Sequence, residues 1–175
     1  MLSSCTVATQ TSGNNSTLIA STAYVDATGG WTSYKVSGSD FTRTAQTLAD
    51  ITGLVTGTLS TGTTYEFEAT LWCTTSAVTT GVEFGVNVAG TGSPAAQAVY
   101  TGAVTSTTGA TTSTNALTTA DATAFLTTSA ANGCVIIRGT FETGTGTPTF
   151  SIQGLKVTSG TLTVKIGSTL RIRKM

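Results

Sequence analysis

Alternation of apolar and polar residues with a period of two is the main pattern along this chain. The odd positions of residues 65–73 are Tyr, Phe, Ala, Leu and Cys, with Glu66 and Glu68 between them. The even positions of residues 82–88 are Val or Phe, with Glu83 and Asn87 between them. Such alternation is typical of strands that bury one face. It predicts two strands here, joined by a turn or short crossing loop over residues 74–81.

The C-terminal part of the chain continues the pattern. Residues 135, 137 and 141 are apolar and share a face with Gly139. Phe150 and Ile152 alternate as well, but Leu155 is out of phase across Gly154, which predicts a β-bulge at this glycine. The inward positions predicted for the last two strands are Leu162, Val164, Ile166, Leu170 and Ile172.

Two stretches depart from this pattern. Residues 90–131 are rich in Gly, Ala, Ser and Thr, which predicts weak strands and long loops on the surface or near a symmetry axis. Residues 1–30 form a separate N-terminal arm, in which Ser16 or Thr17 would cap a short helix. An arm this short cannot bury its own apolar side, so we expect it to dock on another protein. The predicted docking residues are Leu18, Ile19, Tyr24 and Val25.

Seven or eight strands separated by Gly-rich turns indicate one all-β domain over residues 31–175. Strands of this kind build an antiparallel two-sheet sandwich or a jelly roll. A length of 175 residues is consistent with a single domain that carries a short arm.

Composition narrows the function classes. The chain has no histidine, which excludes a histidine base, a Ser-His-Asp triad and any His-ligated metal site. Charged residues make up 9% and the net charge is +0, which argues against nucleic acid as the main partner. Because 60 of the 175 residues are Thr or Ser, large apolar side chains are few. We therefore expect an oligomer interface to contribute to stability.

The three cysteines and the N-terminus bear on the cellular compartment. Cys5, Cys73 and Cys134 have no metal-binding or disulfide-framework spacing, and the last two lie in apolar strands, where we expect small buried hydrophobes. No apolar run is long enough to span a membrane, and the first residues lack the pattern of a signal peptide. We expect synthesis in a cytoplasm and no membrane insertion.

Several segments resemble proteins of tailed-bacteriophage virions. Residues 14–25, Asn-Asn-Ser-Thr-Leu-Ile-Ala-Ser-Thr-Ala-Tyr-Val, resemble a stretch found in phage tail-fibre proteins. Residues 48–54, 62–68 and 167–173 resemble, in this order, the C-terminal β modules of phage structural proteins. The resemblance implies a homotrimeric, jelly-roll (TNF-like) domain on the virion surface, made in the cytoplasm of a bacterial host. It implies no catalytic, cofactor-binding or metal-binding residues and no cofactor.

Within this family, two functions stay open. Only about 13 residues precede the tail-fibre-like segment, where tail fibres carry a long shaft or collar-binding region. This favours a capsid decoration protein, of the cement or head-fibre kind, whose arm binds the major capsid protein. The alternative is a tail-fibre tip or adaptor that contacts tail or collar subunits and binds a host-surface receptor or glycan.

Three residue groups are candidates for further roles. Glu66 and Glu68 are about 7 Å apart on one strand face, between the two carboxylate separations typical of glycosidases, but we interpret them as a solvated face and expect no enzymatic activity. Trp31 and Tyr34 would lock the arm onto the sandwich or form a sugar-stacking platform. A basic stripe near the C-terminus would blunt a strand edge or contact an acidic partner surface. Its residues are Lys165, Arg171, Arg173 and Lys174.

Overall fold

The computed structural model describes residues 30–77, 79–89, 97–106, 111–119, 126–128, 132–144 and 146–175. In this part of the chain all regular secondary structure is β-strand, and the strands form two antiparallel sheets. The predicted all-β class and two-sheet architecture are therefore confirmed. The predicted arm over residues 1–30 lies outside the described residues, apart from Gly30. Its helix and its docking residues Leu18, Ile19, Tyr24 and Val25 also lie outside them.

The structure describes twelve strands, more than the seven or eight predicted, and those over the alternating segments lie close to their predicted positions. The described strands are β1 (Thr32–Lys35), β2 (Phe41–Arg43), β3 (Ala49–Val55), β4 (Thr64–Thr75), β5 (Val82–Ala89), β6 (Gln97–Ser106), β7 (Thr111–Thr119), β8 (Leu126–Thr128), β9 (Asn132–Glu142), β10 (Thr149–Lys156), β11 (Leu162–Val164) and β12 (Thr169–Lys174).

The larger sheet has the order β1-β12-β4-β9-β6-β7. Strands β11 and β12 pair one after the other with the same edge of β4. Strand β2 pairs with β11, and β1 pairs with β12. The smaller sheet has the order β3-β10-β5-β8. Side chains of both sheets belong to one buried apolar cluster, so the two sheets enclose a common core.

The alternation predicts the buried faces of the central strands correctly. In β4 the five odd residues from Tyr65 to Cys73 are at most 7% exposed. Val82, Phe84, Val86 and Val88 of β5 are buried, and Val135, Ile137 and Phe141 of β9 are at most 1% exposed. At the centre, the Phe150 ring stacks on Phe141 with centroids 4.1 Å apart and meets Phe67 at 4.7 Å. These three rings join β10 of one sheet to β4 and β9 of the other.

The predicted β-bulge at Gly154 is wrong. Strand β10 pairs with β5 without interruption from Thr149 to Lys156. Gly154 faces the core, where an added Cβ would lie 3.2 Å from Leu162 and 3.3 Å from Phe84, so this glycine makes room for neighbouring side chains. The irregularity lies in β3 instead, where residues 51–54 stand opposite the single residue Ile152.

Ile166 was expected to point inward, and this prediction is also wrong. Its side chain is 54% exposed because residues 165–168 form a turn between β11 and β12. The Ser168 N–H donates to the Lys165 carbonyl at 3.1 Å, and Gly167 has φ 91°, which favours glycine. The other four predicted inward positions, Leu162, Val164, Leu170 and Ile172, are at most 3% exposed.

Strands are present within residues 90–131, as predicted, whereas their weakness stays a prediction. Strands β6 and β7 have 10 and 9 residues and form a hairpin on the outer edge of β9. Backbone pairing between β6 and β9 continues over the whole length of β6. A Thr-rich segment therefore forms a long ladder here.

Candidate functional site: the outer face of the larger sheet

Outward side chains of β12, β4 and β9 form an alternating ladder of arginine and glutamate. The strand register places Arg171 opposite Glu68, and Glu68 opposite Arg138. One row further along, Arg173 stands opposite Glu66. Opposite charges directly across neighbouring strands stabilise a sheet. The Glu-x-Glu and Arg-x-Arg spacings are visible in the sequence, but their pairing is decided by the register.

Each contact in this ladder is short. Glu68 binds Arg171 Nη2 at 2.5 Å and Arg138 Nε at 2.7 Å, one guanidinium on each carboxylate oxygen. Glu66 Oε2 accepts from Arg173 Nε at 2.6 Å and lies 2.5 Å from its Nη2. The arginine side chains are 43–65% exposed. Exposed pairs of this kind contribute about 0–1 kcal/mol each, so the ladder orients side chains more than it stabilises the fold.

Glu66 and Glu68 lie on the outer face of the larger sheet. Both glutamates point outward from β4, as predicted, and both are bound by arginines of neighbouring strands. The sequence interpretation of a purely solvated face missed these partners.

Trp31 covers the same ladder at the edge of the sheet. Its ring lies 5.1 Å from the Arg171 guanidinium carbon and 5.0 Å from that of Arg173, a cation–π geometry. The indole is still 37% exposed. Because each guanidinium also binds a glutamate, the entry of the chain into β1 is held against β12.

Tyr34 and Trp31 do not form one aromatic platform. Tyr34 stands opposite Leu170 and packs against the apolar core, whereas Trp31 stacks on outward arginines. Residues three apart on a strand point to opposite faces. The proposed shared stacking surface is therefore wrong, and whether Trp31 locks the arm onto the sandwich stays a prediction because the arm is outside the described residues.

The four cations of the predicted basic stripe lie in three different places. Arg171 and Arg173 belong to the outer ladder. Lys165 binds Asp40 at the turn between β11 and β12. Lys174 leaves β12 on the opposite side from Arg173, since strand positions alternate, and it has no ion-pair partner among the described residues. A continuous basic surface is therefore not formed, although contact of any one of them with a partner stays a prediction.

The other end of the outer face is apolar. Trp72 of β4 is 55% exposed, and its cross-strand neighbour on β9 is Cys134. Ile166, in the adjacent turn, is 54% exposed, and the Lys165 N–H next to it donates to the Trp72 carbonyl at 2.8 Å. This end of the outer face therefore exposes two large apolar side chains.

The two described cysteines are free thiols. Cys73 faces the core, and burial raises the pKa of its thiol to about 12. Burial also raises the pKa of Cys134, which is partly exposed on the outer face. The prediction of a small buried hydrophobe is confirmed for Cys73, whereas Cys134 is only half-buried. Cys5 lies outside the described residues.

Asp40 holds the turn that carries Ile166. Its Oδ1 accepts the Ile166 N–H at 2.8 Å, and its Oδ2 accepts from the Lys165 ammonium at 2.9 Å. The Ile166 N–H, followed by Lys165, lowers the pKa of the Asp40 carboxyl below its ordinary value of 3.8.

We expect the stabilising effect of Asp40 to depend on pH. A carboxyl whose folded pKa is lowered stabilises the folded state above the unfolded pKa, near 3.8, and this stabilisation is lost as pH falls further through the folded pKa. The free energy of unfolding of the wild type and of Asp40→Asn, measured by urea denaturation between pH 7 and pH 2.5, should therefore differ at neutral pH and converge at the acid end. A difference between Asp40→Asn and the wild type that has the same size at every pH would contradict the assignment.

Two absences hold for the part of the chain that the structure describes. No group of three or more cysteine or carboxylate side chains there is arranged to hold a metal ion. The same residues contain no apolar helix of membrane-spanning length.

Comparison with known proteins leaves the family open. No protein-family model matches the chain, and no curated protein matches it.

Proposed function

We propose that this chain is a structural protein of a bacteriophage virion, a homotrimeric capsid decoration protein on the virion surface. Its arm, residues 1–30, would bind the major capsid protein. The proposal starts from the phage-like segments at residues 14–25, 48–54, 62–68 and 167–173. The order of the strands in the two sheets is the structural observation that carries it.

Successive strands cross between the sheets as they do in a jelly roll. Setting aside the short β2 and β11 and the β6–β7 hairpin, the chain runs β1, β3, β4, β5, β8, β9, β10, β12. Every step along this series changes sheet except the step from β5 to β8. The resulting orders, β1-β12-β4-β9 and β3-β10-β5-β8, support the jelly-roll form expected of such a virion protein.

The outer face of the larger sheet supports attachment and assembly. The arm joins the domain at Gly30, directly before the clamped Trp31, so its base has a defined position on edge strand β1. Trp72 and Ile166 offer apolar surface for contact between subunits. A rigid trimer with three weakly binding arms would gain affinity from multivalency.

Removal of the arm should separate attachment from folding. A variant that begins at Gly30 is expected to stay trimeric by analytical ultracentrifugation and to lose at least about 100-fold in apparent affinity for capsids that lack this protein, because multivalent binding depends on the arms. Co-sedimentation with such capsids measures the loss.

Two full-length variants sharpen this experiment. One variant replaces Leu18, Ile19, Tyr24 and Val25 together by serine and should reproduce the loss. The other replaces the polar residues Thr6, Thr9, Thr11 and Ser12 together by alanine and should bind normally. Undiminished binding of the variant without the arm would remove the anchoring role from the proposal.

A tail-fibre tip or adaptor is the second candidate, and one observation favours it: an open cavity with two tyrosines at the end of the sandwich. Cryo-electron microscopy of the intact virion separates the two functions. Trimers distributed over the capsid shell would support decoration, and density confined to the tail would support the fibre.

A further inference from the structure

An open cavity of about 260 Å³ lies at one end of the sandwich. It is enclosed by the start of β1, the start of β4, the end of β12 and the loop between β3 and β4. Tyr34, Tyr65, Leu59 and Ile172 supply its apolar lining, and the threonines and serine at positions 32, 58 and 60 supply hydroxyl groups. Of the ladder residues described above, Arg173 also lines this cavity.

The tyrosine at the floor of the cavity is held in place. Tyr65 is only 7% exposed, and its ring stacks on Phe141 with centroids 5.3 Å apart. Its phenol oxygen accepts the Ser60 N–H at 3.1 Å, which ties the loop between β3 and β4 to the floor. Tyr34 packs against the same core from β1. A ligand would therefore meet a preformed floor, which lowers the cost of binding.

The charge of the cavity is positive. Lys174 lines it and stands beside Tyr65 in the register of β12 and β4. Arg173 also lines it, but its guanidinium is engaged by Glu66. No acidic residue is among the described residues that surround the cavity. The ammonium group of Lys174 is thus available to an anionic ligand.

We propose that this cavity binds a single acidic sugar residue, a hexuronic acid at the end of a surface polysaccharide. A sugar ring presents an apolar face that suits tyrosine side chains, and its hydroxyls match those of the rim. Its carboxylate would form a charge-assisted hydrogen bond with Lys174. An aliphatic ligand would leave the hydroxyls and the ammonium unpaired, and a phosphate ion would not use the aromatic lining. This inference does not rest on the proposed place of the protein in a virion.

The test compares two sugars that differ only at carbon 6. Purified full-length protein is titrated with methyl β-D-glucuronide and with methyl β-D-glucoside, and ¹H–¹⁵N NMR spectra are followed. We expect the glucuronide to shift the resonances of residues around the cavity, with a dissociation constant on the order of 1 mM for a ligand of this size. The glucoside should bind about tenfold more weakly, because it lacks the carboxylate.

Variants assign the site. Lys174→Gln should reduce glucuronide binding to the level of the glucoside and leave glucoside binding unchanged. Lys35→Gln removes the same charge from the exposed end of β1 and should bind like the wild type. Tyr34→Ala should weaken both sugars, with circular dichroism and thermal melting checking that it folds. If Tyr34→Ala does not fold, the Lys174 and Lys35 pair alone decides the result.

The outcomes that overturn the inference are specific. Absence of saturable shifts up to 50-fold above the expected constant would exclude a sugar site. Shifts that map elsewhere, or equal affinity for the two sugars, would remove the role of Lys174. The sugar titration uses the isolated protein, so a negative result would not change the outcome expected in the capsid-binding experiment.

Discussion

Replacing Phe150 by alanine is expected to lower the free energy of unfolding by about 3–5 kcal/mol, the usual cost of deleting a fully buried aromatic ring. Phe150 is 0% exposed and lies between β4 and β9 of the opposite sheet. Its contacts with Phe141 and Phe67 supply aromatic pairing of about 0.5–1.5 kcal/mol each in addition to apolar burial. The substitution would therefore remove packing between the two sheets. Equilibrium urea denaturation followed by fluorescence measures the change in the free energy of unfolding.

Phe41→Ala is the matched control for this prediction. It removes the same ring from β2, where the side chain is only partly buried at the margin of the core. We expect Phe41→Ala to cost less than half as much as Phe150→Ala, because the Phe41 ring buries less apolar area in the folded protein. Equal costs for the two variants would mean that the aromatic cluster is not the centre of the core.

Gly53→Ala is the second change with a large expected effect, about 2–5 kcal/mol in total. Gly53 has φ 91°, which costs a residue with a side chain about 1–2 kcal/mol. An added Cβ would in addition overlap the carbonyl oxygen of Lys35 and lie 3.1 Å from the Cα of Val36. Because these are backbone atoms, β1 and β3 would have to separate, at a typical further cost of about 1–3 kcal/mol.

Gly38→Ala isolates the conformational part of that cost. Gly38 has φ 81°, but nothing lies within 4 Å of an added Cβ there. We expect about 1–2 kcal/mol for this variant, so the difference between the two substitutions reports the close approach of β1 and β3. Thermal or urea unfolding of both variants would measure it. Similar values would show that the two strands do not need to be this close.

The central strands were predictable because their faces differ strongly in polarity. Residues 65–73 and 82–88 alternate without exception on the buried side, and a shift by one residue would expose the whole apolar set. The prediction failed beside two glycines, although it held across the glycine in the middle of β9. Gly154 continues its strand and makes room for side chains of the core, whereas Gly167 ends the alternation in a turn that exposes Ile166. Sequence spacing alone does not distinguish these two uses of glycine.

The candidate sites were predictable only as separate residues. Glu66, Glu68, Arg171 and Arg173 were recognised as outward charges, but their partners follow from the pairing of β12 with β4, about 100 residues apart along the chain. The cavity depends on the same long-range pairing, since Tyr34, Tyr65 and Lys174 come from three distant strands. Alternation also explains why the adjacent Arg173 and Lys174 leave β12 on opposite sides, so that Arg173 joins the ladder and Lys174 does not.

The sequence by itself determined the all-β class, the positions of the strongly alternating strands and the inward residues of the central strands. It did so because the period of two and the burial of one face are local properties of a strand. Only the tertiary structure decided which strands are neighbours, which charges pair, and that Tyr34 and Trp31 serve opposite faces of β1. Those outcomes depend on register between segments far apart in the chain, and register is set by the packing of the whole core.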